Sequence, residues 1–156
     1  MISKWNWPVL QHSVYDGDTV KIEADVGLYF RANVSVRISG TDTPEVRPRK
    51  SLKEHALHKE AGFAVKAVTA AWLSHVDPDN LMVASIARDK YAGRIVGDFF
   101  DFHEPDQTLS AFLLYFRLAL PYEGQKKKFW TKKALTETLK QAHLILNEGM
   151  QHYAPR

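Results

Sequence analysis

The chain is expected to be an α+β protein, a five-stranded OB-type Greek-key β-barrel with about three packed α-helices. Three observations lead there. The first third alternates apolar and polar residues. The repeat then switches to a helical one over 58–75. Alternation returns twice before the last third turns helical again. Strand side chains alternate between two faces, whereas a helix brings every third or fourth residue onto one stripe, so a change of period marks a change of element. Three strands, a helix, two strands and two helices fit several topologies, among them a small Greek-key barrel with helices packed beneath it.

Residues 7–15 are mixed apolar and stop at Asp16-Gly17, a strong turn pair. Thr19–Glu23 alternates with Val20 and Ile22 on one face. Phe30–Ser39 alternates more clearly, with Ala32, Val34, Val36 and Ile38 on one face and Arg31, Asn33, Ser35, Arg37 and Ser39 on the other. These three segments read as an antiparallel meander, followed by a loop over 40–55 rich in Pro, Arg and Lys. Over 58–75, Ala61, Val65, Val68 and Trp72 form one helical stripe, which Asp77-Pro78 ends. Leu81–Ala87 and Arg94–Phe102 read as two more strands around a polar loop. Residues 108–116 read as a short buried helix. A last helix runs from about Thr131, a plausible N-cap, to about Gln151, with the stripe Leu135, Leu139, Ala142 and Leu146.

A length of 156 residues suits one domain over 1–156, with a core of about 7–150. Hydrophobic residues make up 45%, enough for a packed core and too many for a disordered chain. No apolar run reaches the length of a membrane span, and MISKWNWPVL has no long apolar region of the signal-peptide kind. The protein is therefore expected to be exported only if a leader was removed, and cytoplasmic otherwise; a monomer is the default. The chain has no cysteine, which excludes disulfides, thiolate zinc sites and cysteine nucleophiles. Net charge is only +3, but positive charge is gathered in two places. Segment 46–59 carries Arg47, Arg49, Lys50, Lys53 and Lys59 against Glu54, and 126–133 carries five lysines and no acid. Such clusters attract phosphate backbones or simply form solvated loops.

Asp16-Gly17-Asp18-Thr19, the stretch from Arg37 to Glu45, and Asp89-Lys90-Tyr91-Ala92-Gly93-Arg94 hold the residues suited to chemistry. Arg37 lies on the polar face of a strand, and Asp42 and Glu45 follow where that strand gives out. Pro44 fixes the chain between them and keeps Thr43 extended. One strand end can thus present a guanidinium and two carboxylates to the same side. Hard cations take carboxylate and carbonyl oxygens. Arginine offers a planar, permanent fork to phosphate oxygens. Water attack on phosphorus needs a base or a positioning carboxylate. Taken singly, each residue also suits an ordinary surface role. His55 and His58, three apart, read as surface residues rather than metal ligands.

The strings VYDGDTVKI, VRISGTDTPEV and DKYAGRIVGDFF, in this order, resemble the staphylococcal nuclease family. HKEAGFAVKAVTAAWL resembles its first helix, and LSAFLLYFRLALPY its second helix with the short strand after it; the likeness covers roughly 10–146. The resemblance implies a Ca2+-dependent phosphodiesterase that hydrolyses DNA and RNA with little sequence preference, cutting internally to leave 3′-phosphate ends. It implies calcium ligation by the carboxylates of Asp18 and Asp42 and the carbonyl of Thr43. Glu45 would be the general base or orient the attacking water, and Arg37 and Arg94 would clamp the phosphate. Lys90, Tyr91 and Tyr122 would contact substrate. Ala92 is an extra residue before Gly93, so Arg94 comes one place later than in the family pattern, and Arg117 stands where a glycine often precedes Leu-Ala. The alternative is a non-catalytic nucleic-acid-binding or interaction module on the same fold. Such copies usually lose the carboxylates or arginines, and here all five are present.

Overall fold

A computed structural model describes residues 5–124 and 129–153. Strands β1 (Asn6–Asp16), β2 (Thr19–Gly27) and β3 (Phe30–Ile38) form the expected antiparallel meander. A two-residue strand β4 (Thr41–Asp42) follows, then helix α1 (His55–His75), β5 (Leu81–Arg88) and β6 (Arg94–Asp101). Helix α2 (Leu109–Tyr115), a two-residue strand β7 (Leu120–Pro121), helix α3 (Lys132–Glu148) and a 3₁₀ turn (Met150–His152) complete the order.

The five long strands close into a barrel in the order β1-β2-β3-β6-β5. Its one parallel seam sets β6 beside β3, with Arg94 level with Ser35 and Val96 level with Arg37. Closure depends on β1, which pairs with β5 through Asn6–Pro8 and with β2 from Val9 onward. A register shift between Val9 and Gln11 marks the changeover; bulges bend and twist a strand in this way. Val20, Ile22, Val36, Ile38, Val83 and Phe99 fill the interior, and Trp72, Leu73 and Leu113 cover it from the helices.

The α1 stripe Ala61, Val65, Val68 and Trp72 is buried as expected. The α3 stripe is rotated from expectation. Leu135, Thr138, Ala142 and Ile145 are buried, whereas Leu146 is 37% exposed. Thr138 can go inside because its hydroxyl donates to the Arg117 carbonyl. Thr131 caps α3 by accepting from the Ala134 N–H.

Asp98 holds α2 to the barrel. This buried carboxylate accepts from the N–H groups of Phe99 and Ser110 and from the Ser110 hydroxyl. Burial pushes its pKa up, and the hydrogen bonds offset this only in part. A carboxyl whose pKa is higher folded than unfolded contributes stability at low pH. That contribution is fully present below the ordinary carboxylate pKa and is lost as pH rises through the raised folded value. Asp98→Asn keeps the acceptor and removes the titration. Denaturant midpoints measured between about pH 4 and 7 should therefore fall less with rising pH than in the wild type. Parallel curves would show that Asp98 does not titrate differently in the fold.

Candidate active site

Two chain reversals meet at one end of the barrel, and α1 lies behind both. The first is the turn between β1 and β2. Gly17 is required there by close approach, because a Cβ would stand 2.6 Å from Val65 Cγ1 and 2.9 Å from Thr43 Oγ1. The Gly17 carbonyl accepts from the Thr69 hydroxyl on α1 at 2.8 Å. The turn presents Asp18 inward, only 3% exposed.

The second reversal runs from β3 through β4 to Val46. Arg37 leaves β3 and bridges the two aspartates, with Nη1 2.7 Å from Asp18 Oδ1 and Nη2 3.6 Å from Asp42 Oδ1. Nη2 also donates to the Thr41 carbonyl at 3.0 Å. Asp42 is held from the far side by the short β4–β7 ladder, where it pairs with Leu120. Just past β7, the Tyr122 N–H donates to the Gly40 carbonyl and the Tyr122 ring lies 5.8 Å from the Arg37 guanidinium carbon.

Beyond Asp42 the chain belongs to no ladder, yet its N–H groups are paired with side chains. Thr43 donates to Asp18 Oδ2 at 2.9 Å, Glu45 to His58 Nδ1 at 3.1 Å, and Val46 to Asp16 Oδ1 at 3.3 Å. Pro44 has no N–H to pair. Backbone donors left unpaired in a buried segment are costly, so these three contacts define the course of the loop. A cavity of about 150 Å³ opens in front of it, lined by Asp18, Arg37, Thr43 and Glu45 together with Tyr15, Asp16 and Arg47.

Asp18, Arg37, Asp42, Thr43, Glu45 and Tyr122 are thus gathered at one place. Arg94, Lys90 and Tyr91 form a neighbouring cluster. Despite the extra Ala92, Arg94 still opens β6, on the same outward face as Arg37. Sheet spacings put the two arginine Cα atoms about 8 Å apart. Arg94 does not line the cavity: its Nε donates to Asp89 Oδ2 at 2.5 Å, and its guanidinium stacks 4.7 Å from the Tyr91 ring. Lys90 Nζ lies 5.2 Å from the same ring. Burial pushes the Asp89 carboxyl up, but the Arg94 hydrogen bond and charge and the Tyr91 and Lys90 N–H groups outweigh it and leave it below its ordinary value.

Sequence reasoning missed Asp16, Asp89 and His58. Asp16 and Asp89 stand in the two outer motifs, but neither carries a role there. His58 is not the expected surface residue; it is 5% exposed, because the Glu45 amide needs its ring nitrogen. Arg47, Arg49, Lys50 and Lys53 are exposed along the loop that follows, and Arg47 reaches the cavity wall. The lysines 126–128 lie outside the described residues.

No protein-family model matches the chain, and no curated protein matches it.

The donor set suits a hard cation. Asp16, Asp18, Asp42 and Glu45 set four carboxylates against Arg37 and Arg47, so the site carries excess negative charge. Two of those carboxylates, on Asp18 and Asp42, are buried, and buried charge calls for compensation. Among the described residues no three His, Asp or Glu side chains converge into a ready-made cage. A cation here would need carbonyl, water or phosphate oxygens besides the aspartates, which is the mixed shell calcium accepts. No described helix is long and apolar enough to cross a membrane.

Proposed function

We propose that this protein is a calcium-dependent nuclease of the staphylococcal nuclease type, hydrolysing DNA or RNA. The observation that carries the reading is Arg37 seated between Asp18 and Asp42, on one cavity with Glu45. That combination suits a phosphodiester. Arg37 would bind the non-bridging oxygens and meet the negative charge that grows on them as phosphorus becomes five-coordinate. Glu45 would take the proton from the attacking water as its oxygen bonds to phosphorus. The bond to the 5′ oxygen then breaks, leaving a 3′-phosphate and, after protonation from solvent, a 5′-hydroxyl. Asp18, Asp42 and the Thr43 carbonyl would hold calcium, which supplies positive charge to the phosphate and orients water. Arg94 would join Arg37 on the phosphate by exchanging Asp89 for it.

Weak sequence preference follows from this equipment. It is aimed at phosphate, and phosphate contacts carry no direct sequence information. Tyr122 beside Arg37 offers a ring to a base or sugar, and Lys90 and Tyr91 extend the contact surface. The exposed cations from Arg47 to Lys53 would raise the local concentration of polyanion.

A gel assay on single-stranded DNA, duplex DNA and RNA tests the reading, with calcium, magnesium or chelator, beside Asp42→Ala. Cleavage is expected with calcium, and neither with chelator nor in the variant. Binding without cleavage under every ion, the variant behaving as wild type, would favour the non-catalytic module instead.

A further inference from the structure

The face of α1 turned toward the carboxylates is built from His58, Gly62, Val65 and Thr69, which follow one another at helical spacing. Each touches one of the two reversals that carry the acidic residues. Thr69 donates to Gly17, and Val65 packs where a Gly17 side chain would stand. At Gly62 a Cβ would lie 2.5 Å from the Glu45 carbonyl oxygen and 2.9 Å from that of Pro44. His58, one turn earlier, accepts the Glu45 N–H. The backbone of Glu45 is therefore gripped on both sides by one turn of helix, its N–H by an imidazole and its carbonyl by the space a glycine leaves.

We propose that His58 is a positioning residue that sets where the Glu45 carboxylate stands in the cavity. The inference rests on the nuclease reading, in which Glu45 handles the proton of the attacking water. His58 does not line the cavity and acts through the loop. The contact needs an acceptor at Nδ1, so the ring is neutral with its proton on Nε2. The ring also meets Trp130 in an edge arrangement, their centroids 6.5 Å apart. Without the acceptor the Glu45 amide loses its bond to His58 in a part-buried position, which favours a shift of the loop that lets the N–H reach water. A shift of about 1 Å in a group that acts on the substrate can cost roughly 10²-fold in rate.

Two substitutions separate positioning from bulk. His58→Phe keeps a planar ring against Trp130 but has no acceptor. His58→Asn loses ring volume, yet its Oδ1 can accept where Nδ1 did. Calcium-dependent hydrolysis of a single-stranded DNA oligonucleotide gives kcat and KM, and amide hydrogen exchange gives the protection of the Glu45 N–H. In His58→Phe, kcat should fall by about 10- to 100-fold with KM within about threefold, and the Glu45 amide should lose protection. In His58→Asn, kcat should return to within about fivefold of wild type, with the amide protected again.

Equal kcat and equal protection in all three proteins would overturn the proposal. So would a loss in His58→Phe that the asparagine does not recover and that follows the melting temperature. A wild-type protein inert with calcium would sink the nuclease reading and the catalytic role with it. That outcome stands apart, because the exchange pattern does not depend on turnover.

Discussion

Arg37→Ala is expected to lower kcat by roughly 10³-fold. Arg37 lines the cavity between both buried aspartates and beside the Tyr122 ring, so it would turn to the phosphate as calcium takes those carboxylates. Arg94→Ala should cost less, because Arg94 stands outside the cavity, held to Asp89. The same geometry predicts a cost in stability. The Arg37 side chain is 16% exposed, and its removal leaves Asp18 and Asp42 buried together without it. Breaking such a buried arrangement costs on the order of 3 kcal/mol. Calcium should restore part of this, since a ligand that binds only the folded form raises its stability. Melting curves of Arg37→Ala with chelator and with calcium would show the gap. A variant as stable and as active as wild type would remove Arg37 from the centre of the mechanism.

Glu45→Gln should lower kcat by roughly 10²- to 10⁴-fold, the range general-base catalysis contributes. Glutamine preserves size and the loop's hydrogen bonds, because the contact to His58 is made by the backbone N–H. Calcium affinity, measured by titration calorimetry, should remain close to wild type. Loss of calcium binding together with activity would make Glu45 a ligand instead, and the proton would have to go elsewhere.

Much of the barrel was legible because its strands alternate. Val34, Val36 and Ile38 fall on the inner face of β3, and Arg37 between them must then face out, toward the site. The short strands β4 and β7 were not legible as pattern, since two residues have no period; the resemblance alone suggested a strand near Leu120. On α3 the helical repeat was read through Leu146, but Ile145, equally large and apolar, is the buried residue. Core packing, on the helix that lies against α1, decides for Ile145. The site divides in the same way. Asp18, Arg37, Asp42 and Glu45 announce themselves by lying at a turn or a strand end in a tight motif. Asp16, Asp89 and His58 do not, because each acts by a hydrogen bond that only the folded chain defines. The bond from Val46 to Asp16 spans 30 residues and that from Glu45 to His58 spans 13.

The pairing of β4 with β7 also has a place in time. Asp42 emerges from the ribosome long before Leu120, its partner in that ladder. At about 5–20 residues per second, roughly 4–16 s separate the two. Throughout that interval the acidic loop lacks its outer support, and until β6 arrives beside β3 the barrel stays open. On the proposed reading, the site is incomplete until that ladder forms. For an enzyme of the proposed kind, which would distinguish poorly among nucleic acids, late completion of the site would spare the messenger still being translated.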